Sequence, residues 1–548
     1  MVFARRSTTL LAAIIASCAM VLSLTACTSD NKTVVDGQTT VTSNSAGGVA
    51  VFTPSDGITL NQQTPLNKWA KLVPDLAKAL ADAGFKKGDI NHTTSDSLDK
   101  QSRAIQDFVV DHLSNNTTDD SGIAIAPDNM TLLVAPVVEA DASTRQYGDY
   151  VSQNLSTNDV TDEGATSDGE SSEDDSSKDD SSKDDSSNTE SDSTASDEQA
   201  QAVDRLVSSL KLAKESGMHV VLLGNSIEGY KPDAFVKFSD AQTIGKLQAE
   251  KMVSKLKLDK ASKDNPKYIE VLLPYTAMDE KGNANDSTFA QEAFRGIWQV
   301  LGSYYQKGVV ESPSGTLDGK STENDWQAVA YDAAKEGSTA KVLDKRLAKT
   351  DGQSTLTRID GIITMNDYIA SEVVKELDDL GYTGSAADIN PQITISGIVG
   401  NITGKKDLSR DAVPDPIKSP ENDNANDSSS SDDDADEDTS ASDKDRDSQW
   451  PLVTGYGAYV SNIPSIVNGK QWMTGMEDRQ TIATDIAQAC AKLNKDEALN
   501  SMPSTRNSEV GGVKKIPTIS EPLLAVSASN LKSALIDPGY ISLADAGL

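Results

Sequence analysis

Side chains that could catalyse a reaction are sparse in this sequence of 548 residues. The three histidines are His92, His112 and His219, and none has the spacing of a zinc site. The stretch Gly224–Gly229 superficially resembles a nucleophile elbow, but it has one residue too many before its second glycine. Glycine-rich loops that cradle phosphates are absent from the sequence. These observations argue against an enzyme and predict no cofactor and no metal site.

The best candidates for binding chemistry are Asn366 and Asp367, which follow the apolar run Ile359–Thr364. Residues at the carboxyl ends of parallel strands point into the crevice where ligands bind. An amide beside a carboxylate offers hydrogen-bond donors and acceptors at fixed positions, as a polar ligand requires. Asn-Asp after a strand is also an ordinary helix cap, so the sequence leaves both interpretations open.

Apolar, strand-like runs alternate with amphipathic helices along most of the chain. This alternation predicts parallel sheets covered on both faces by helices, and it is too long for one sheet. We therefore expect an α/β fold with two doubly wound domains. The predicted helices are Trp69–Ala83, Gln101–Leu113, Ala202–Ala213, Ile244–Leu256, Phe289–Tyr305, Trp326–Ala334 and Ile369–Leu380. The predicted strands are Val49–Phe52, Val220–Leu223, Tyr268–Leu273, Ile359–Thr364, Ile393–Ile398 and Leu452–Thr454, and the sequence does not decide whether Ile123–Ala126 or Leu132–Val138 is central.

Two acidic Ser/Asp tracts hold most of the net charge of −34. Residues Asp159–Glu198 contribute −14 (16 acids, two lysines) and Ser419–Gln449 contribute −10 (12 acids, two bases). Such segments cannot bury enough apolar surface to offset chain entropy, so we predict disordered insertions at 156–199 and 418–449. No basic patch accompanies them, which argues against nucleic-acid binding.

The N-terminus has the pattern of an export signal. Arg5 and Arg6 precede the apolar run Leu10–Leu24, which is shorter than the roughly 20 residues of a membrane span. The run ends in Leu-Thr-Ala before Cys27, which resembles the bacterial lipobox. The resemblance implies a signal peptide at 1–26, a lipid on Cys27 that anchors the protein to the outer face of the cell membrane, and a linker at 27–46. The alternative is an ordinary signal with a chance cysteine.

The region from about Val49 to Tyr540 resembles the sugar-binding type I periplasmic binding proteins, especially the xylose and multiple-monosaccharide branch. The order of several passages carries this resemblance, although each passage alone is weak. They are Lys214–Val221, Phe238–Gly245, Gly282–Asn285, Met365–Asp367, Val453–Ala458, Asn468–Thr474 and Asn530–Tyr540.

The resemblance implies two lobes that close on a ligand like a hinge. The first lobe would comprise residues 47–228 and 474–518, and the second 229–473 and 519–548. Three crossing segments would join them, near Gly224–Val236, Trp472–Asp478 and Ile516–Leu524.

The resemblance also implies a set of ligand contacts in the cleft. The implied polar contacts are Asn366, Asp367, Asn283, Asn285, Asp286 and Lys470, and the implied stacking aromatics are Trp69 and Trp326. The alternatives are a plain polar loop for the asparagines, core packing for the tryptophans and a surface position for the lysine. Three departures from the family matter. Gly224–Ser226 stands where the family has Tyr-Asp-Arg, Gly455–Gly457 stands where it has Gly-Gln-Asp, and Lys68 replaces the arginine before the helix Trp.

The function that the resemblance implies is an extracytoplasmic substrate-binding lipoprotein of an ABC importer. It would capture a small polar ligand, a carbohydrate by family, and deliver it to a membrane permease driven by an ATPase subunit. The alternative on the same fold is a non-transporting surface receptor or sensor, or a structural lipoprotein.

Overall fold

A computed structural model describes most of the chain, which divides into two units, residues 1–44 and 45–548. The described residues are 34–35, 38–39, 46–55, 65–115, 125–138, 146–156, 190–278, 285–333, 335–348, 356–386 and 449–548. In the first unit, Val34–Val35 pairs with Gln38–Thr39 in antiparallel orientation. Cys27, Asn283, the predicted strand Ile393–Ile398 and the predicted insertion at 418–448 lie outside the described residues.

A seven-stranded sheet forms the first lobe of the second unit. Its strands are β1 (Gly48–Pro54), β2 (Ile90–Ser95), β3 (Met130–Val134), β5 (His219–Leu223), β7 (Ala234–Lys237), β15 (Thr505–Val510) and β16 (Val513–Ser520), in the order β15-β16-β7-β5-β3-β1-β2. All neighbours are parallel except the β15–β16 hairpin. A parallel pair of two-residue strands, β4 (Asn154–Leu155) and β6 (Ser226–Ile227), lies beside it. The helices of this lobe are α1 (Trp69–Asp82), α2 (Leu98–Asn115), α3 (Glu190–Glu215) and α10 (Arg479–Leu493).

A parallel four-stranded sheet forms the second lobe. Its strands are β8 (Lys267–Val271), β10 (Val310–Glu311), β12 (Gly361–Ile363) and β13 (Leu452–Val453), in the order β10-β8-β12-β13, with the parallel pair β9 (Leu273–Pro274) and β11 (Ala330–Tyr331) beside them. Its helices are α4 (Ala241–Leu256), α5 (Thr288–Gln306), α6 (Trp326–Val329), α7 (Ser338–Arg346), α8 (Asp367–Leu380) and α9 (Ile463–Val467).

The chain passes between the lobes three times, at residues 238–240, 477–478 and 521–523. Next to the second and third crossings, β14 (Met473–Met476) pairs in antiparallel orientation with β17 (Leu524–Ser527). Two doubly wound parallel-sheet lobes joined by three crossing segments are the predicted fold class, which is confirmed.

Three expectations about boundaries need correction. The strand β7 belongs to the first sheet, where β5 and β16 flank it, so the first crossing begins at Phe238 and not within 224–236. The predicted boundary at residue 228 divides the first sheet for the same reason. Helix α3 begins at Glu190, inside the predicted first insertion at 156–199.

The first sheet shows which of the two candidate runs, Ile123–Ala126 or Leu132–Val138, forms the central strand. Strand β3 at Met130–Val134 is fully buried between β1 and β5, so the later of the two candidate runs is central.

No helix among the described residues is long and apolar enough to cross a membrane.

Candidate functional site

The carboxyl ends of the two sheets meet at the junction between the lobes. From the first lobe, β5 ends at Leu223 and leads into Asn225, which is buried. From the second lobe, β12 leads into Asn366 and Asp367, and β13 leads into Tyr456, and these side chains are buried too. This junction is where the fold concentrates polar and aromatic side chains.

Asn366 is the N-cap of helix α8. Its side-chain oxygen accepts a hydrogen bond from the backbone N–H of Ile369 at 2.9 Å. Its amide nitrogen donates to the side-chain oxygen of Gln146 at 3.2 Å. The helix-cap role left open by the sequence is therefore present, and a further contact reaches a residue that follows a first-lobe strand.

Asp367 is enclosed by its own lobe and by β14. Its carboxylate accepts hydrogen bonds from Tyr459 N at 2.9 Å, Gln471 Nε2 at 2.7 Å and Thr474 Oγ1 at 2.9 Å. Burial raises the pKa of this carboxyl to about 6, against the opposing effect of those hydrogen bonds. In this conformation Asp367 ties β14 to the loop after β13.

The other predicted polar contacts that the structure describes bind groups near their own positions in the second lobe. Asn285 donates to the carbonyl of Thr276 at 2.8 Å, and Asp286 accepts from Thr288 N at 2.9 Å at the start of α5. Lys470 forms an ion pair with Asp378 at 2.8 Å and lies 3.6 Å from the centre of the Trp450 ring. These contacts organise loops and the outer surface of the second lobe.

The two predicted stacking aromatics pack against other rings. Trp69 opens α1 with 2 % exposure, and it meets Tyr150 and Phe238 edge-on at 5.1 and 5.7 Å between ring centres. Trp326 is 9 % exposed and meets Tyr275 edge-on at 5.1 Å. Both tryptophans pack in the core in this conformation, which is the alternative that the sequence left open.

Sequence reasoning missed the segment Gln146–Leu155, which we call the cleft segment. Tyr147 packs against Phe289 at 4.7 Å and against Tyr456 at 6.3 Å between ring centres, with 1 % exposure. The signal available in the sequence was two tyrosines three residues apart in a polar stretch, which is unusual for a plain connection.

Sequence reasoning also missed a buried polar group at the crossings. The Glu477 carboxylate accepts from Ser239 N at 2.7 Å and from the Tyr456 hydroxyl at 3.3 Å, and that hydroxyl also contacts Ser239 Oγ. Burial raises the pKa of Glu477 to about 7. Because Ser239 lies in the first crossing and Glu477 in the second, the group links two hinge segments.

The chemistry available at the junction is hydrogen bonding and aromatic packing. Among the described residues, no three side chains of His, Cys, Asp or Glu are grouped so as to hold a metal ion.

No known protein-family profile matches the chain, and no curated protein matches it. Solved structures that are similar include an ABC transporter solute-binding protein from Clostridium phytofermentans with bound β-D-glucose, at 17 % identity over 91 % of this chain and 99 % of that one, with a TM-score of 0.44. A carbohydrate transporter solute-binding protein from Chloroflexus aurantiacus in complex with D-glucose shares 17 % identity over 92 % and 98 % of the chains, with a TM-score of 0.43. The arabinose-binding protein AraP from Geobacillus stearothermophilus shares 9 % identity over 89 % and 99 %, with a TM-score of 0.42. At identities and TM-scores this low, the ligands of these proteins are not assigned to this chain.

Proposed function

We propose that this protein is an extracytoplasmic solute-binding lipoprotein of an ABC importer. It captures a small polar ligand, a carbohydrate by class, between its lobes and delivers it to a permease with an ATPase subunit. The observation that supports this most is the convergence of two parallel sheets, at their carboxyl ends, on a junction spanned by three short crossings. The N-terminal signal and Cys27 support a lipid-anchored, extracytoplasmic location.

The proposed mechanism is hinge closure. The crossings contain two or three residues each, so small changes of φ and ψ there would rotate one lobe against the other. The junction combines amide, hydroxyl and carboxylate groups with the rings of Tyr456 and Phe289. Sugar hydroxyls need such donors and acceptors, and the apolar faces of sugar rings pack on aromatic rings.

A thermal-shift screen of the full chain in detergent tests this function. We expect one member of a panel of mono- and oligosaccharides to raise Tm, because a ligand that binds only the folded state stabilises it by mass action. Asn366→Ser is the informative variant, since serine retains the helix cap but removes the amide donor. It should fold with nearly wild-type Tm and lose most of the shift. A folded chain that responds to no member of the panel would contradict the proposal.

A second candidate, a non-transporting surface receptor or structural lipoprotein, is favoured by one observation. The cleft segment already fills the junction, with Tyr147 and Tyr150 at most 1 % exposed. A permanently filled junction would serve a scaffold as well as a binding protein. The absence of any thermal shift, in the wild-type chain and in variants that release the cleft segment, would support this second candidate.

A further inference from the structure

The cleft segment inserts side chains into both lobes from one short stretch of chain. Tyr147 and Val151 join the core of the second lobe, together with Tyr456 and Trp472. Tyr150 joins the core of the first lobe, where it lies 4.8 Å from Phe238 in a stacked arrangement. Because side chains of the cleft segment enter the two cores in turn, the segment fixes the lobes to each other.

Polar contacts at the start of the cleft segment reach the second lobe. The carbonyl of Gln146 accepts a hydrogen bond from the Tyr459 hydroxyl at 2.7 Å. Its side chain accepts from the amide of Asn366 at 3.2 Å. Asn366 was the first candidate for ligand contact, so the segment occupies a donor that a solute would use.

The middle of the cleft segment is bound to the first lobe at the start of α1. Asp149 accepts from Lys68 Nζ at 2.8 Å and from the backbone N–H of Trp69 at 3.0 Å. The N-cap residue of α1 is Lys68, whose side chain makes no capping hydrogen bond. Asp149 therefore supplies the negative charge and acceptor that the helix N-terminus needs.

The end of the cleft segment is bound at the first crossing and beside β5. Ser152 N donates to the carbonyl of Ser239 at 3.0 Å. Gln153 N donates to Asn225 Oδ1 at 3.0 Å, and Ser226 N donates back to the Gln153 carbonyl at 2.9 Å. Backbone and side chains together thus replace the contacts that a bridging ligand would make with both lobes.

We propose that the cleft segment is a built-in occupant that holds the lobes closed without solute and must leave the junction before a solute enters. The regulatory part of this proposal rests on the proposed function. The contact between Tyr147 and the rings of Phe289 and Tyr456 is the decisive one, since a sugar ring needs the same aromatic faces.

Hydrogen exchange read by mass spectrometry on the full chain in detergent tests closure by the segment. In the wild type, peptides that cover 146–155 should be protected. In Tyr147→Ala, their exchange and that of the first turn of α1 should rise at least tenfold, with little change in the outer helices.

Leu301→Ala is the matched control, because Leu301 lies in the same core but on α5. It should raise exchange in α5 and leave the segment protected. Rapid exchange of the segment in the wild type, or equal exchange in both variants, would overturn the proposal.

A second arm separates the proposed closure from the proposed function. Titration with glucose, arabinose, ribose and an oligosaccharide set should show an affinity at least tenfold higher in Tyr147→Ala than in the wild type or Leu301→Ala. If a sugar binds the wild type while the segment stays protected, the occupant proposal is wrong and the solute-binding function stands. If Tyr147→Ala releases the segment and no sugar binds, closure by the segment stands and the carbohydrate function fails.

Discussion

Two buried carboxyls at the lobe junction have pKa values that burial raises into the physiological range. Asp367 has a pKa of about 6 and Glu477 of about 7, and both are completely enclosed. Each is held by hydrogen bonds to groups on other elements, and those of Glu477 link two crossings. Substitution should have opposite effects on stability at the two positions, because donors saturate the Asp367 carboxylate and fewer donors reach that of Glu477.

Glu477→Gln should make the protein more stable at pH 7.5 and leave it nearly unchanged at pH 4.5. A carboxyl whose pKa is higher in the folded state binds more protons there, so the free energy of unfolding falls as pH rises from about 4.5 to about 7. The size of this loss is at most ~3 kcal/mol. Glutamine cannot ionise and retains an acceptor for Ser239 N. Urea denaturation of both chains across this pH interval measures the difference, and an equal pH dependence would contradict it.

Asp367→Ala should lower the free energy of unfolding by about 3 kcal/mol or more. The change leaves the donors of Tyr459, Gln471 and Thr474 buried without an acceptor, and each orphaned donor costs about 1 kcal/mol or more. Urea denaturation at pH 7.5 measures it, with Asn366→Ser as the control that should lose less than about 1 kcal/mol. Equal losses in the two variants would contradict the central role of Asp367. Lost sugar binding in Asp367→Ala would therefore not by itself identify a ligand contact.

The Asn-Asp pair shows what the sequence could and could not predict about the site. Its position after a buried strand was readable, because apolar periodicity and the carboxyl-end rule are local properties. The partners of the pair could not be predicted from the sequence, because Gln146, Tyr459 and Thr474 lie roughly 90 to 220 residues away along the chain. Such contacts depend on the tertiary fold, and the one to Gln146 also joins the two lobes, which no local pattern encodes.

At the scale of elements, helices α4 and α5 approach each other through two glycines. A Cβ on Gly245 would lie 2.2 Å from the carbonyl oxygen of Ala293, and one on Gly296 would lie 2.0 Å from that of Gln242. Backbone atoms occupy this space, so a side chain there cannot be accommodated by a rotamer change. Close packing of this pair sets how the second lobe covers its sheet.

Gly296→Ala should therefore destabilise the protein although alanine favours helices. The helix propensity gain is about 1 kcal/mol, whereas separating two packed helices costs about 1–3 kcal/mol or more. We expect a net loss of about 2 kcal/mol in urea denaturation. Gly319→Ala is the control, since a Cβ there meets its nearest atom at an ordinary 3.5 Å. A change within about 0.5 kcal/mol in both variants would show that the helices can separate freely.

The elements themselves were largely predictable, and strand β7 shows where local patterns fail. Helix α1 was predicted to within a residue, because its apolar spacing is strict and its residues contact each other locally. The four-residue strand β7, in contrast, overlaps the range in which the sequence predicts a crossing. It pairs with β5, about 13 positions earlier, and on its other side with β16, whose residues 518–520 lie about 280 positions further along the chain. Short strands with distant partners have no local signature of their own.

At the scale of the molecule, a separate core cluster lies beside the second crossing. It brings Leu66, before α1, together with Met476 of β14 and with Leu535 and Tyr540 of the C-terminal segment. The cleft segment contacts the first crossing through Ser239, whereas Met476 of this cluster lies directly before the second crossing.

Arg479 is the polar counterpart of that cluster. It begins α10 directly after the second crossing and is 6 % exposed. Its guanidinium forms an ion pair with Asp75 of α1, donates to the Leu66 carbonyl at 3.3 Å and lies 4.7 Å from the centre of the Tyr540 ring. One side chain thus connects a helix of the first lobe with the C-terminal segment.

Arg479→Ala should destabilise the whole molecule by about 2 kcal/mol, because a partly buried carboxylate and a buried carbonyl lose their donor together. Arg479→Lys should recover only part of this, since an ammonium group cannot reach Asp75 and cover the Tyr540 ring with a planar surface. Urea denaturation gives the free energies, and hydrogen exchange should show faster exchange in both α1 and residues 531–541. Lys492→Ala, which breaks the exposed pair with Glu497, is the matched control and should stay within about 0.5 kcal/mol. If Arg479→Ala behaved like this control, the hinge would be held by apolar packing alone, and closure would rest on the cleft segment and the core clusters.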